Sequence, residues 1–354
     1  MSTLYDLSFE QLQTAIADQP KYRVNQLWEG LYEQGQPLGE LTNLPKALRA
    51  ALADEYPSAL RLVTQSTSDN GQTIKWLWAL PDGKQIETVL MHYRDRTTVC
   101  VSTQAGCAMN CSFCATGQAG FERHLSVGEI VEQVVLARQM ALPRRVSNVV
   151  FMGMGEPMAN YNNVWSAIER FQGDMGISAR SLTVSTVGFV PGILRLKDEK
   201  LPVNLAVSLH LAEDRRRDEL VPINRRYPLA VLADALQQYL AAKGRRLSFE
   251  WSLIDGVNDQ EIDAQQLAAY AAPLHAHVNL IPLNPTPGYL VQGSPPEQVQ
   301  WFRDRLAQLG INATIRKNRG TDIDAACGQL RANVAATQTE VQLSSPKRKI
   351  SHTR

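Results

Sequence analysis

The sequence has almost no net charge, only five cysteines and no long apolar run, and each shortage excludes a class of protein. Its 354 residues carry 36 Lys and Arg against 35 Asp and Glu, so overall charge does not mark a nucleic-acid binder. No apolar run is long enough to span a bilayer, and no signal peptide precedes Leu4. We therefore expect a cytoplasmic protein with no membrane partner. Its 44% hydrophobic content suits an ordinary globular core.

Three cysteines within a short loop are the most informative feature of the chain. Cys107, Cys111 and Cys114 form the spacing C-x3-C-x2-C, and cysteine thiolates are the usual ligands of iron–sulfur clusters. The loop resembles the one with which the radical S-adenosylmethionine (SAM) superfamily holds a [4Fe-4S] cluster, whose remaining iron binds exchangeable SAM. Structural zinc, with His124 as a fourth ligand, is the weaker alternative, because zinc sites usually combine two separated ligand pairs. An odd number of cysteines also disfavours a disulfide framework.

Changes in residue pattern divide the chain into four segments. Residues 1–69 are predicted to form a small helical accessory domain. Residues 70–93 alternate apolar and polar side chains on both sides of Pro81-Asp82-Gly83, which predicts a linking β-hairpin. Residues 94–330 form the main domain. Residues 331–354 are a polar, basic tail that we expect to be disordered.

Capping boxes and apolar spacing predict the first helices. Ser8-Phe9-Glu10-Gln11 and Ser126-Val127-Gly128-Glu129 each place a serine three residues before a side chain that can bond back to its amide. Apolar side chains recur at helical spacing over Tyr22–Gln34 and again over Leu44–Tyr56.

The main domain alternates short β-branched strands with amphipathic helices. This repetition predicts an α/β fold built from parallel βαβ units, as an open sheet or as a barrel. In both architectures the chemistry lies at the carboxyl ends of the strands. The predicted strands are Thr97–Ser102, Val146–Met152, Leu182–Thr186, Val203–Leu209, Leu247–Leu253, Val278–Pro282 and Ala313–Arg316.

A series of short motifs follows the cysteine loop in a fixed order and extends the resemblance to nearly the whole chain. Together the motifs resemble the RlmN/Cfr family of radical SAM RNA adenine methyltransferases, whose fold is a partial (β/α) barrel. That resemblance implies a partial barrel here, with the small N-terminal helical domain and the hairpin attached. The motifs are Gly153-Met154-Gly155-Glu156-Pro157, Ser185-Thr186-Val187-Gly188, Ser208-Leu209-His210, Pro282-Leu283-Asn284-Pro285 and the run from Arg319 to Leu330.

The resemblance also implies a set of SAM contacts at strand ends. A strand-end polar side chain more often satisfies the backbone, so each of these assignments depends on the family. Gly155 and Glu156 match the pair that receives the SAM amino group. The full set is Gly155, Glu156, Ser185, Ser208, Leu209, His210 and Asn284.

Two isolated cysteines and one glutamate gain roles only through the resemblance. In the family, Cys327 takes a methyl group from one SAM, and a second SAM is cleaved to a radical that activates that methyl group. Glu87 matches the base that removes the adenine ring proton. Cys100 then attacks the sulfur of Cys327, which forms a disulfide and releases the RNA. Without the family, Cys100 and Cys327 are small buried residues and Glu87 is an exposed hairpin glutamate.

The implied activity is methylation of adenine C2 in 23S rRNA and in tRNA next to the anticodon. The expected partners are these two RNAs and an electron donor such as flavodoxin or ferredoxin, and the expected state is a monomer. Three alternatives remain: methylation at C8 as in the Cfr branch, a radical SAM enzyme acting on a substrate other than RNA, and a non-catalytic RNA-binding protein with zinc. Local basic clusters and the residue 1–69 domain are the candidates for RNA contacts. The clusters contain Arg215, Arg216, Arg217, Arg225, Arg226, Arg245, Arg246, Arg316, Lys317 and Arg319.

Overall fold

The computed structural model describes residues 2–284, 286, 291–316, 319–326 and 328–330. Cys327 and the predicted tail over residues 331–354 lie outside the described residues.

Short helices form the N-terminal part of the chain. Helix α1 spans Phe9–Ala15, α2 spans Tyr22–Trp28 and α3 spans Lys46–Glu55. The first capping box is confirmed, because the amide of Gln11 donates to Ser8 Oγ while the amide of Ser8 donates to Gln11 Oε1, at 3.2 and 2.8 Å. The second predicted helix is shorter than expected. A π-helical turn over Glu29–Glu33 follows α2.

Three antiparallel strands connect these helices to the rest of the fold. They are β1 (Arg61–Ser68), β2 (Thr73–Ala79) and β3 (Gln85–His92). The predicted hairpin is confirmed as β2 paired with β3, and the two tryptophans of β2 are buried. Strand β1 was not predicted. Its Thr- and Ser-rich sequence carries little apolar alternation, and antiparallel pairing with β2 makes it a strand.

The main domain is an α/β partial barrel, as the family resemblance implied. Seven strands pair in parallel in the order β4-β7-β8-β9-β10-β11-β12, and β3 adds the antiparallel hairpin beside β4. Within the described residues, no strand pairing closes the sheet, so the barrel is open. The strands are β4 (Thr97–Cys100), β5 (Gln104–Gly106), β6 (Phe121–His124), β7 (Asn148–Phe151), β8 (Leu182–Thr186), β9 (Asn204–Ser208), β10 (Leu247–Leu253), β11 (His277–Pro282) and β12 (Ala313–Ile315).

Helices cross over between the parallel strands, while β5 and β6 form a separate two-stranded sheet. The second capping box is also confirmed, because the amide of Glu129 donates to Ser126 Oγ at the start of a long buried helix. The helices are α4 (Ala115–Gln118), α5 (Val127–Ala141), α6 (Tyr161–Glu169), α7 (Val190–Leu196), α8 (Asp214–Leu220), α9 (Leu229–Lys243), α10 (Glu261–Ala271) and α11 (Pro296–Gln308).

The N-terminal helices pack on the outside of the sheet, against α5. Asp6 Oδ1 accepts from the amide of Gly128 at 2.7 Å, and Arg138 donates to the carbonyl of Tyr32 at 2.7 Å. One continuous apolar core therefore joins this segment to the main domain. In the part of the chain that the structure describes, no helix is long and apolar enough to cross a membrane.

Candidate active site

A cavity at the carboxyl ends of the parallel strands gathers the three loop cysteines with most of the predicted SAM contacts. We call it the cysteine cavity. The amide of Cys114 donates to the carbonyl of Cys111, and the amide of Ala115 donates to the carbonyl of Gly328, so the loop is held from both sides. The predicted residues that line the cavity are Cys107, Cys111, Cys114, Gly155, Glu156, Ser185, Ser208 and His210.

The surroundings of the loop disfavour free thiolates. Burial raises the pKa of Cys107 to about 12, and burial together with the neighbouring thiols raises the pKa of Cys111 well above its ordinary value. These two thiols are therefore held protonated until a metal group stabilises them as thiolates. The donor set fits an iron–sulfur cluster bound through cysteine.

The zinc alternative lacks its fourth ligand. His124 lines a different surface depression, and its Nδ1 lies 3.0 Å from Gln104 Nε2. Among the described side chains, no three Cys, His, Asp or Glu groups converge as ligands of a single metal ion. Three thiols spread around one cavity suit a polynuclear cluster better than one tetrahedral ion.

Glu156 is a buried carboxylate on the loop after β7. It is 2% exposed, and its two oxygens accept from the amides of Met158 and Val187 at 3.0 and 2.9 Å. Burial outweighs these hydrogen bonds and raises the pKa of Glu156 to about 7. Gly155 precedes it with a φ of +101°, and a Cβ there would lie 2.6 Å from Gln104 Cβ. Only glycine fits this turn without strain.

His210 follows β9 in a left-handed conformation with a φ of +58°. Its Nδ1 accepts from the amide of Ser252 at 2.9 Å, so the neutral ring carries its proton on Nε2. Burial, with a smaller contribution from Arg217, lowers the pKa of His210 to about 3. The ring therefore remains a neutral donor in the cavity at physiological pH.

The remaining predicted SAM contacts differ in position. Ser185 Oγ donates to the carbonyl of Phe151 at 2.6 Å while its residue lines the cavity. Leu209 and Asn284 are buried at 0% and 2% exposure and are not among the residues lining the cavity. Leu209 contributes through its backbone, whose carbonyl accepts from Arg217 Nε at 3.0 Å.

Cys100 faces a second, smaller space that we call the Cys100 cavity. This cavity shares Met152, Ile281 and Leu330 with the cysteine cavity, so the two spaces adjoin. Cys100 pairs with Val89 across β3 and β4.

Glu87, two residues from Val89, lies on the same face as Cys100, as its diagonal neighbour. It is buried, with a carboxylate oxygen 3.0 Å from Lys75 Nζ. The alternative of an exposed hairpin glutamate is therefore wrong.

Comparisons with known proteins agree with this geometry. The radical SAM superfamily pattern matches residues 101–267. A protein of Chloroflexus aurantiacus named "Probable dual-specificity RNA methyltransferase RlmN" is 48% identical, over 98% of this chain and 97% of its own. A protein of the same name from Roseiflexus castenholzii is 47% identical, over 95% and 97% of the two chains. This chain belongs to the RlmN family.

A solved structure extends the family match to three dimensions. The crystal structure of a radical SAM methyltransferase from Sphaerobacter thermophilus is 47% identical, with a TM-score of 0.91 over 94% of this chain and 100% of that one. The resemblance of the motifs to the RlmN family is thus confirmed. Membership of the radical SAM superfamily implies a [4Fe-4S] cluster and SAM as its cofactors.

Two residues of this RlmN family member were missed by the sequence analysis. Glu250 lines the cysteine cavity, and its Oε1 accepts from Asn279 Nδ2 at 2.8 Å. Strand β10 alternates apolar and polar residues, and Glu250 occupies a polar position between Ser248 and Ser252, so the sequence pattern does not distinguish it from an ordinary polar strand residue. Arg217 is fully buried, and a buried guanidinium cannot be recognised within a run of three arginines.

Arg217 joins the ends of two strands behind the cavity. Its guanidinium donates to the carbonyls of Val187, Ser208 and Leu209 at 2.8, 3.3 and 3.0 Å, and to Asn224 Oδ1 at 2.8 Å. Arg217 therefore fixes the backbone around the predicted SAM contacts.

Proposed function

We propose that this protein is a radical SAM methyltransferase that methylates C2 of adenosine in 23S rRNA and in tRNA next to the anticodon. The observation that carries the proposal is the near-full-length similarity to relatives named as dual-specificity RNA methyltransferases. Three loop cysteines around one strand-end cavity supply the cluster site that this chemistry requires. The adenine C2 carbon has no lone pair to attack SAM directly, which makes a radical route necessary.

Cys107, Cys111 and Cys114 would hold the [4Fe-4S] cluster, which supplies the electron that cleaves SAM. Glu156 would receive the SAM amino group. A buried carboxyl with a pKa near 7 gains a counter-charge when an ammonium group binds, and that charge favours its ionised form. The neutral imidazole of His210 would offer a hydrogen bond to SAM.

The transfer of the methyl group would use residues near both the cysteine cavity and the Cys100 cavity. Cys327 would displace the methyl group from one SAM and carry it as a thioether. In the described part of the chain, Ala326 lines the Cys100 cavity and Gly328 lines the cysteine cavity.

After the activated methyl carbon has bonded to adenine, Glu87 would remove the ring proton. The Cys100 thiolate would then attack the sulfur of Cys327, so that an S–S bond forms while the S–C bond to the transferred carbon breaks. The electron pair of the broken bond would stay with that carbon, which takes up a proton and leaves as the methyl group of the released RNA. Glu87 and Cys100 lie on one face of the adjacent strands β3 and β4, which supports this sequence of steps.

The same proposal includes the partners. RNA would be held partly by the helical segment over residues 1–69, as an accessory to the catalytic segment over 94–330, with residues 70–93 linking the two. A flavodoxin or ferredoxin would supply electrons to a monomeric enzyme in the cytoplasm, where thiols stay reduced.

The test is an anaerobic assay with SAM, a reductant and an adenine-bearing RNA hairpin, followed by digestion and mass spectrometry of the nucleosides. We expect 2-methyladenosine from the unaltered protein and none from Cys327→Ala. Cys100→Ala should instead accumulate a covalent protein–RNA adduct, because the carrier is no longer released. Glu87→Gln should accumulate an adduct that retains the ring proton.

Other outcomes would redirect the proposal. An 8-methyladenosine product would place the protein with the C8 methyltransferases. Cleavage of SAM without modified RNA would retain the cluster chemistry and refute the RNA substrate. Failure of Cys327 to become methylated would refute the carrier mechanism.

A further inference from the structure

The mouth of the Cys100 cavity carries a compact group of cationic and aromatic side chains, of which the sequence analysis identified only Arg319. We call Tyr93, Arg96, Arg144 and Arg319 the arginine–tyrosine cluster. Tyr93 and Arg319 line the Cys100 cavity. The guanidinium carbons of Arg96 and Arg319 lie 4.3 and 4.4 Å from the centroid of the Tyr93 ring.

Hydrogen bonds hold this cluster on the turn between β3 and β4. The amide of Tyr93 donates to the carbonyl of Arg96 at 2.8 Å and closes the turn. Arg144 donates to the carbonyl of Tyr93 at 3.1 Å, and Arg319 donates to the carbonyl of His92 at 2.9 Å. Residues that are distant in sequence are therefore fixed around one ring.

The cluster is strongly positive for its size. Arg94 and Arg316 add two exposed arginines beside it. Asp95 contributes one negative charge, and its exposed carboxylate lies 3.3 Å from Arg96 Nη1, a surface ion pair that a phosphate can replace. Burial first, and then the charges of Arg144 and Arg319, lower the pKa of His92. A concentration of guanidinium groups around an aromatic ring is typical of surfaces that bind a nucleic-acid backbone.

The other basic clusters of the sequence are less available. Arg217 is buried, and Arg216 donates to Asp263, which is itself buried. Arg245 donates to Asn204 Oδ1 at 2.8 Å. Arg225 is exposed but lines neither the cysteine cavity nor the Cys100 cavity.

We propose that the arginine–tyrosine cluster is the docking site for the RNA backbone next to the target adenine. Arg96 and Arg319 would bind phosphates, and the Tyr93 ring would hold the two guanidinium groups in place. This inference rests on the proposed function. An adenine that enters the Cys100 cavity leaves its own sugar and phosphates at the mouth, where the cluster lies. Guanidinium groups match phosphate oxygens bidentately.

The test measures binding of a fluorescent RNA hairpin to the reconstituted holoenzyme by anisotropy, over a range of salt concentrations. We expect Arg96→Gln and Arg319→Gln each to weaken binding about five- to tenfold. The slope of log affinity against log salt should fall in magnitude by about 0.7 to 0.9 for each phosphate that the variant no longer binds. Tyr93→Leu should also weaken binding, because it removes the ring that holds the guanidinium groups of Arg96 and Arg319 in place.

Arg225→Gln is the matched control, because it removes the same charge from an exposed surface outside both cavities. It should bind RNA within about twofold of the unaltered enzyme. In methylation assays the cluster variants should raise KM for RNA while kcat at saturating RNA stays unchanged. That pattern separates docking from chemistry.

The inference fails if the cluster variants bind as the unaltered enzyme does, or if Arg225→Gln weakens binding and reduces the salt slope equally. It also fails if the variants bind RNA normally but are reduced more slowly by flavodoxin. The cluster would then be the binding site of the acidic electron-donor protein. If the unaltered holoenzyme does not bind RNA, the proposed function fails first. If it binds and methylates RNA without needing the cluster, only this inference falls.

Discussion

Replacing Arg217 with methionine tests whether this residue holds the strand ends around the cysteine cavity. Methionine is apolar and similar in length, so the change mainly removes hydrogen bonds. The carbonyl of Leu209 keeps a bond from the amide of Leu211, whereas Val187, Ser208 and Asn224 each lose a donor. A hydrogen bond from a charged donor contributes about 1.5–3 kcal/mol, so the loss of these three costs about 6 kcal/mol.

Part of this cost is offset. Burial lowers the pKa of Arg217 to about 10, and removing that buried charge returns about 3 kcal/mol. The expected net loss in the free energy of unfolding is therefore about 3 kcal/mol. With about 2.1 cal/mol/K of unfolding entropy per residue, this loss lowers Tm by about 4 °C.

The assay is thermal melting of the reconstituted protein, followed by circular dichroism, beside Arg215→Met. Arg215 is exposed on the same helix, so its replacement should change stability by no more than about 0.5 kcal/mol. Arg217→Lys should also lose stability, because one ammonium group cannot reproduce the planar fork of four contacts. Equal Tm values for Arg217→Met and Arg215→Met would refute the reasoning.

Two further predictions concern other buried sites. Burial raises the pKa of Glu132 to about 7, although Ser58 and Ala59 donate hydrogen bonds to its carboxylate. The folded protein therefore favours the protonated carboxyl. The stability that Glu132 contributes is fully present below pH 4.5 and is lost as the pH rises through about 7. Urea unfolding from pH 5 to 8 should therefore show that Glu132→Gln loses less stability with rising pH than the unaltered protein, by up to about 3 kcal/mol; parallel pH profiles would contradict this. Gly155→Ala should cost about 1–3 kcal/mol through its positive φ and the contact with Gln104. Gly173→Ala, where a Cβ meets nothing within 4 Å, is the control, and equal urea midpoints for the two alanine variants would exclude strain at Gly155.

The sequence by itself determined the local structure and the family. Both capping boxes were readable because they depend on residues three apart, and the structure confirms both. Predicted strands Leu182–Thr186 and Leu247–Leu253 coincide with β8 and β10, since the β-branched residues of the first and the apolar–polar alternation of the second are local patterns. The cysteine spacing and the order of the motifs identified the family, because ligand spacing in one loop is also a local property.

Only the tertiary structure decided which charged residues are exposed to solvent and which are buried beside the cysteine cavity. Neighbouring arginines of one run separate into an exposed Arg215 and a buried Arg217, because only the packing of α8 against two strand ends makes that difference. Strand β1 forms because it pairs with β2, and the composition of β1 alone does not predict a strand. The arginine–tyrosine cluster joins residues separated by more than two hundred positions, from Tyr93 to Arg319. Such contacts are set by the way the sheet curves and packs, so no local pattern in the sequence records them.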